Sequence, residues 1–135
     1  MRSSMDYLLD TSICVFFFRG NVKVMEQLRR AGTRHLYISE MTLGELLYGA
    51  ECSARPEENR RMVAALCREV TVLPLTDVWQ EFALQKAQLR RKGLMIEDAD
   101  ILIGITALKH SLVMVTDNGK HIGRLEGITV ENWAK

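Results

Sequence analysis

The chain has 135 residues, 47% of them hydrophobic and 26% charged, with a formal net charge of +1. This composition predicts one globular domain over residues 1–135, with neither the basic field of a general nucleic-acid binder nor an acidic tail. No apolar run is long enough to cross a membrane, acids at positions 6 and 10 interrupt any secretory signal, and the three cysteines lack CxxC spacing. We therefore expect a cytoplasmic protein with reduced thiols.

Short apolar runs alternate with stretches of helical spacing along the whole chain. The runs that predict strands are residues 5–9, 35–38, 70–73, 112–115 and 127–130. Helices are predicted between them, over residues 13–18, 22–30, 40–52, 56–67, 78–92 and 98–108. This alternation predicts an α/β fold with a central, mostly parallel sheet of four to five strands and helices on both faces.

Local signals predict where two helices begin and which face of a third is buried. Thr11 or Ser12 is predicted to cap the first helix, and Thr76 or Asp77 the long helix after the third strand. In the helix after the second strand, the predicted buried face consists of Leu43, Leu46, Leu47 and Ala50.

Three consecutive phenylalanines, Phe16 to Phe18, stand out in the first predicted helix. No single helix face can bury three adjacent rings. One interpretation is that a partner protein or a second copy of the chain covers part of this surface. The other is that a neighbouring helix of the same domain covers it, and the sequence leaves both open.

The stretch from residue 97 to residue 108 combines acids with an almost wholly apolar helix. Glu97 or Asp98 is predicted as its N-cap, which places Asp100 in the first turn, where the helix dipole and free N–H groups favour a carboxylate. By itself this is an ordinary helix start. A buried helix also carries a carboxylate at its mouth where a cation binds, and this stretch alone does not decide between the two.

Four carboxylates are predicted to converge at the carboxyl ends of the strands, where a parallel sheet binds its ligands. Asp10 and Asp117 follow the first and fourth strands, and Asp100 begins the helix that leads into the fourth. Glu45 lies in the helix after the second strand, with no Lys or Arg between residues 40 and 53 to pair with it. Such a set suits Mg²⁺ or Mn²⁺, which would position a water against a phosphodiester. Basic clusters would form a rim that holds nucleic acid: Arg29 with Arg30, residues 90–92, and Lys120 with His121.

Five motifs cover most of the chain in order: LLDTS at residues 8–12, ISEMTLGELLYGA at 38–50, GLMIEDADILI at 93–103, VTDN at 115–118 and VENW at 130–133. Each motif alone is weak. Together, at this spacing, they resemble the PIN-domain ribonucleases and, among them, the VapC-type toxins of bacterial toxin–antitoxin pairs.

The resemblance implies a PIN-like domain that acts as a Mg²⁺- or Mn²⁺-dependent endoribonuclease and leaves a 5′-phosphate. It also implies inhibition by a cognate VapB-type antitoxin and, usually, a homodimer. The implied catalytic residues are Asp10, Glu45, Asp100 and Asp117, with Asp10 and Asp100 as metal ligands. The fourth acid of the family generally stands two positions after the threonine of its fourth-strand motif, where this chain has Asn118. Asp117 stands one place earlier, so this fourth position is open between the two.

Three other functions compete with this one. A degenerate PIN domain that binds RNA or a partner protein without cleavage would carry much the same motifs. An aspartyl-phosphate phosphatase would need a second acid two residues after Asp10, where Ser12 stands. A receiver-like binding module would need paired acids after the first strand and a suitably placed lysine, and Lys120 is poorly placed. The sequence has no histidine pair with metal-ligand spacing, no Gly-x-Ser-x-Gly and no phosphate-binding glycine loop.

Overall fold

Five short strands form the centre of the structure, a computed structural model that describes residues 5–135. The first four residues of the predicted domain lie outside this range. The strands are β1 (Tyr7–Leu9), β2 (Leu36–Ser39), β3 (Thr71–Leu73), β4 (Val113–Val115) and β5 (Val130–Glu131). Neighbouring strands all pair in parallel, in the order β3-β2-β1-β4-β5. The predicted α/β fold with a parallel central sheet is therefore confirmed.

The strand order reverses beside β1. The chain first builds outward from β1 to β2 and β3, and then crosses back to place β4 and β5 on the other side of β1. A parallel sheet opens a ligand-binding crevice at the carboxyl ends of two strands that flank such a reversal. Asp10 lies at this point, because it follows β1 and its N–H donates to the Val115 carbonyl of β4 at 2.8 Å.

Helices fill the connections between the strands. They are α1 (Thr11–Phe18), α2 (Val22–Ala31), α3 (Glu40–Cys52), α4 (Pro56–Glu69), α5 (Trp79–Lys92), α6 (Asp98–Lys109) and α7 (Gly119–Ile122), with a 3-10 turn at Thr33–His35. Within residues 5–135, every helix is too short or too polar to cross a bilayer.

Consecutive residues of β1 point to opposite faces of the sheet and so build both halves of the core. Leu9 packs with Ile13 of α1 on one face, and Leu8 packs with Ile103 of α6 on the other. All of residues 101–107 in α6 are buried. This burial agrees with the almost wholly apolar sequence of the helix.

Two of the three predicted helix caps, those of α1 and α5, are wrong. Asp10 itself is the N-cap of α1, since its Oδ1 accepts a hydrogen bond from the Thr11 N–H at 2.8 Å. The site acid and the cap are therefore one residue. The N-cap of α5 is Val78, which makes no side-chain cap hydrogen bond. Asp77 adopts a left-handed φ of 56° and turns the chain just before the helix, so neither Thr76 nor Asp77 caps it.

Two short elements differ from the sequence prediction at the end of the chain. The last strand begins at Val130 and not at residue 127, because Gly127 has a φ of 83° and turns the chain before β5. Helix α7 was not among the predicted helices. It follows directly on the residues that leave β4, and so brings Lys120 close to the end of that strand.

Two questions about side-chain burial are decided by packing. Leu47 is 41% exposed and does not share the buried face of Leu46 and Ala50, because it lies about 100° around the helix from Leu46. The rings of residues 16–18 are each half-buried against the core, so neighbouring helices of the same chain cover part of them. Phe17 and Phe18 also line an open groove, described below.

Candidate functional site

The four predicted carboxylates meet at the carboxyl edge of the sheet, the edge at which the strands end. Asp10 follows β1 and Asp117 follows β4, while Glu45 lies in α3 after β2. Asp100 reaches the same edge because α6 leads into the amino end of β4 and so begins near its carboxyl end. The charges of Asp10, Glu45 and Asp100 interact with one another, and that of Asp117 interacts with Asp10. The structure thus brings all four residues together.

Asp10 is the most deeply buried of these acids, with only 5% of its surface exposed. One carboxylate oxygen accepts from the Thr11 N–H, and the other accepts from the Thr116 hydroxyl at 2.6 Å. Burial raises the pKa of Asp10, as do the charges of Glu45 and Asp117, while the bonds from Thr116 and Thr11 lower it. A carboxylate has about four acceptor positions, so Asp10 keeps acceptor capacity for a further ligand.

Asp100 lies in the first turn of α6, as the sequence predicts, with Glu97 at the N-cap. Burial, and then the charges of Asp10, Glu97 and Glu45, raise the pKa of Asp100 to about 6. The nearby Lys86 pairs with Asp98 at 2.8 Å and leaves Asp100 without that cation. Burial in a field of like charge opposes ionisation unless a cation balances it.

Glu45 is held by a pair of threonine hydroxyls. The Thr11 Oγ1 donates to the Glu45 Oε1 at 2.6 Å and lies 3.1 Å from the Thr42 Oγ1. Thr11 has one hydroxyl proton and gives it to the carboxylate, so Thr42 is the donor in the second bond. Thr42 is fully buried, which fixes the far end of this chain of hydrogen bonds.

None of the four acids forms an ion pair in the part of the chain that the structure describes. An acid with no basic residue on its own helix could still be neutralised by a lysine or arginine from another element. Glu45 has no such partner among the described residues. Unpaired, partly buried carboxylates destabilise a fold, so their convergence indicates a functional site rather than a structural one.

Sequence reasoning missed three residues that organise this edge. In the sequence, Thr116 and Thr42 stand out only as members of two motifs, and Thr11 only as a candidate helix cap. Thr116 donates to Asp10 across 106 positions of sequence, and accepts from the Asn118 N–H at 2.9 Å. The available signal was its place directly after the fourth strand, at the same edge as Asp10.

The fourth acidic position remains a prediction. Asp117 is exposed, and its charge acts weakly on Asp10, as the last of the causes that raise the pKa of that residue. Asn118 is half-buried, and its side chain makes no hydrogen bond to cap α7. Both residues therefore lie at the rim of the site rather than in its centre.

The donor set fits a hard divalent cation held by few protein ligands. Among the described residues, no three His, Cys, Asp or Glu side chains are spaced as a complete metal cage. Mg²⁺ is usually bound by one or two carboxylates and keeps several waters, so a complete cage is not required. Asp10, which is buried, and Asp100, which is half-buried, are the charge-coupled carboxylates that would hold it.

The predicted basic rim is only partly correct. Residues 90–92 end α5 beside the loop into α6, and Lys120 follows β4, so both lie at the carboxyl edge. Arg29 and Arg30 lie at the opposite edge, because α2 leads into the amino end of β2 and Arg29 shares a groove with Leu36. Both arginines pair with Glu26 on the same helix. They do not belong to the rim.

Comparison with known proteins identifies the family. Residues 7–127 match the PIN domain family. The tRNA(fMet)-specific endonucleases VapC of Salmonella typhimurium and Shigella flexneri are 33% and 30% identical to this chain, over 94% and 95% of it and 97% and 98% of their own lengths. Ribonuclease VapC2 of Rickettsia felis is 29% identical over 97% of this chain and all of that protein.

Solved structures agree with these relatives. The crystal structure of DNA-bound VapBC from Salmonella typhimurium matches with a TM-score of 0.88 at 33% identity, and covers 96% of this chain and 98% of that one. VapBC2 of Rickettsia felis, bound to a DNA fragment from its promoter, also gives a TM-score of 0.88, at 26% identity, over 96% of this chain and 99% of that one. The chain therefore belongs to the PIN-domain family and, within it, to the VapC ribonucleases.

Proposed function

We propose that this chain is a Mg²⁺- or Mn²⁺-dependent endoribonuclease that acts in the cytoplasm as the toxin of a toxin–antitoxin pair. One observation carries the proposal: Asp10, Glu45 and Asp100 converge at the strand-order reversal, with no cationic side chain paired to them among residues 5–135. The VapC names of the relatives at 30% and 33% identity support cleavage of RNA.

The residues of the site have separable roles in this proposal. A bound cation would stabilise negative charge on the phosphodiester oxygens and lower the pKa of a bound water. Asp10, oriented by Thr116 and the Thr11 N–H, and Asp100 would hold that cation. Glu45, oriented by Thr11, faces the same space and is placed to accept a proton from the attacking water. The lysine and arginines of residues 90–92 would hold the RNA backbone.

The substrate class follows from the relatives and not from the site geometry. Two of the most similar relatives carry the name tRNA(fMet)-specific endonuclease. We therefore place initiator tRNA first among the RNAs to test, beside a mixed cellular RNA pool. The products are expected to carry a 5′-phosphate.

The testing experiment is cleavage of these RNAs by the purified, partner-free protein with Mg²⁺ or Mn²⁺. Cleavage should be lost in EDTA, restored by added metal, and absent from the Asp100→Asn variant. Asn keeps the shape of the side chain, so a thermal melt of the variant controls for folding. RNA that is bound but never cut by wild-type protein would instead support the degenerate, non-cleaving PIN domain.

An apolar groove supports the proposal of an antitoxin partner. The groove, of about 430 Å³, lies between α1, α2 and α4 and is lined by Phe17, Phe18, Met25 and Leu28, among others. Related solved structures are VapBC complexes, so we assign this groove to the antitoxin and not to a nucleic acid. Although Arg29, Thr33 and Glu69 also line the groove, its exposed wall surface is almost wholly apolar, which suits a hydrophobic protein segment.

The variant Phe17→Asp tests this assignment, with Leu84→Asp as the matched control on an exposed apolar residue of α5. The measurement is inhibition of RNA cleavage by the cognate antitoxin. Phe17→Asp should cut RNA at the wild-type rate but require far more antitoxin for inhibition, whereas Leu84→Asp should behave as wild type. Equal inhibition of all three proteins would contradict the assignment.

We also propose that the chain forms a homodimer. Leu47 and Tyr48 are adjacent on α3 and are 41% and 72% exposed, and Leu94 and Met95 are exposed in the loop before α6. Neighbouring large apolar side chains of this kind are typical of an interface between subunits. Sedimentation of wild-type protein should give a dimer, and Tyr48→Asp should shift it towards the monomer.

A further inference from the structure

A second groove begins at the carboxylate site and runs away from it between α1, α3 and α4. Its volume is about 350 Å³, and Thr11 and Glu45 form its inner end. The Glu45 carboxylate is thus shared between the acidic site and the groove. A molecule that lies in this groove reaches the place where a phosphodiester would be cut.

The groove changes character along its length. Its walls near the site are apolar, with Val15 and Leu46 among their side chains, whereas Arg19 and Asn59 stand at its outer part. In the described part of the chain, neither of these two side chains has a hydrogen-bond or ion-pair partner. By contrast, three arginines in or beside α4 pair with glutamates: Arg55, Arg60 and Arg61.

This combination fits a nucleobase better than a hydrophobic protein segment. An unpaired base has apolar faces and an edge of donors and acceptors, and proteins read it with apolar walls and edge hydrogen bonds. The Asn59 amide offers both donors and an acceptor, and the flat Arg19 guanidinium can stack on a base or bind a phosphate. The volume lies at the lower end of the range of small-ligand pockets, about 300–1,000 Å³.

We propose that this groove binds the unpaired nucleoside next to the cleaved phosphodiester, with Asn59 contacting the base edge and Arg19 contacting the base or its phosphate. The proposal rests on the ribonuclease function proposed above and adds the subsite that selects the cut position. Asn59 is the specificity-determining residue, and Arg19 contributes affinity for any nucleotide.

The first test compares cut positions in a randomised single-stranded RNA pool digested with Mg²⁺. The variants are Asn59→Ala, Asn59→Asp and Arg19→Ala. Gln80→Ala, which also removes a side-chain amide, and Arg68→Ala are the controls at exposed positions. Asn59→Ala should lose the base preference on one side of the cut and lower kcat/KM for the preferred sequence about tenfold, as expected for one base-edge contact. Arg19→Ala should slow cleavage of all sequences alike, and the controls should match wild type.

The second test does not depend on cleavage. In metal-free Asp100→Asn protein, the ¹⁵N side-chain amide resonance of Asn59 should shift on titration with at least one of AMP, CMP, GMP and UMP. The subsite is overturned if the wild-type protein cuts RNA, Asn59→Ala cuts it at the same positions, and no nucleotide shifts the Asn59 resonance. The ribonuclease function would then still stand. The absence of metal-dependent cleavage by wild type would reject the function, and the resonance shift would still decide whether the groove binds nucleotides.

A protein occupant gives a different pattern. If Asn59→Ala and Arg19→Ala weaken inhibition by the antitoxin while the cut-position profile stays that of wild type, the groove is a protein-docking site and the nucleoside proposal is overturned. Thermal melts of all variants show whether a loss of activity reflects unfolding.

Discussion

An aspartate lies at each end of strand β1, and the two residues differ in their burial and in their partners. Asp6, before the strand, is hydrogen-bonded to the His35 imidazole, with 2.6 Å between its Oδ1 and the His35 Nδ1, and its side chain is 40% exposed. Asp10, after the strand, is 5% exposed and meets only hydroxyl and N–H groups, together with other acids. The amino edge of the sheet gives its carboxylate an imidazole partner, while the carboxyl edge concentrates negative charge.

This difference shows that the acids of the site are distinguished from the other acids less by their positions than by their lack of basic partners. Glu26, near the amino edge, pairs with Arg29 and Arg30, and on the outer surface Asp98 pairs with Lys86. The acids of the site have no such partners within residues 5–135, although burial makes their charge more costly. An uncompensated cluster of this kind persists where a ligand supplies the missing charge.

The largest effect is expected when the aspartates at the two ends of β1 are each replaced by asparagine. Asp10→Asn should reduce RNA cleavage about 10³-fold or more, because removal of a metal-binding carboxylate loses several kcal/mol of transition-state stabilisation. Asp6→Asn should cleave at the wild-type rate. The measurement is kcat/KM on one RNA, with both variants shown to be folded by circular dichroism. Comparable losses in the two variants would mean that the edges are not functionally distinct.

A smaller loss of cleavage is expected when the acids stay and only a hydrogen bond that orients one of them is removed. Thr11→Val keeps the shape of the side chain but loses the hydroxyl that donates to Glu45, and should lower kcat about 10- to 100-fold, as loss of such supporting hydrogen bonds typically does. Thr11→Ser restores the hydroxyl and should recover most of the rate. If Val and Ser behave alike, the hydrogen bond to Glu45 does not orient it.

The dependence of stability on pH sharpens the comparison without any RNA. The folded protein holds the Asp100 proton with a pKa of about 6, above the ordinary value of 3.8, so it binds more protons than the unfolded chain between these values. Stability from this residue is therefore lost as pH rises from about 4 to about 6, and stays reduced above that. In EDTA, Asp100→Asn and wild type should melt alike near the lower pH, and the variant should melt higher at about pH 7.

Added Mg²⁺ provides the control for this experiment. At neutral pH it should raise the melting temperature of wild type much more than that of Asp100→Asn, since a ligand that binds only the folded state stabilises it. A wild-type melting temperature that rises with pH relative to the variant would contradict the raised pKa of Asp100.

The smallest expected effect is at the amino edge. Asp6→Asn should lower the free energy of unfolding by about 1 kcal/mol or less, since it weakens one partly exposed hydrogen bond to His35. Urea unfolding measures this loss, and Asp10→Asn serves as the comparison. If Asp6→Asn destabilises the protein much more than Asp10→Asn, and Asp10→Asn leaves cleavage intact, the carboxyl edge is not the functional edge of the sheet.

Sequence reasoning recovers the fold well because the signals for it are local. The alternation of short apolar runs with helical spacing predicts the parallel sheet, and the acids before the apolar helix place Asp100 correctly in the first turn of α6. It fails at the starts of two helices: the sequence predicts Thr11 or Ser12 as the cap of α1, where Asp10 is the cap, and Thr76 or Asp77 as the cap of α5, where neither is. Asp77 adopts a left-handed φ, and the next residue, Val78, packs with Ile101 and Ile105 of α6.

The sequence predicts the acids of the site but not the threonines that hydrogen-bond to them. Each acid stands at a predictable place on its own element, so topology alone brings these residues to one edge. Thr116, which donates to Asp10, lies 106 positions from it in the sequence, and Thr11, which donates to Glu45, lies 34 positions from it. Likewise, Arg29 is basic and lies near a helix end, and only the direction of α2 shows that it belongs to the opposite edge.

The sequence by itself therefore determined the parallel α/β architecture, the edge at which the carboxylates gather and the buried character of α6. Tertiary structure alone decided that these acids have no cationic partner in the described chain, that threonines hold Asp10 and Glu45, and that a groove with Arg19 and Asn59 opens beside Glu45. The physical reason is that periodicity along a chain fixes the face on which a side chain lies. Its neighbours depend on which distant element packs against that face.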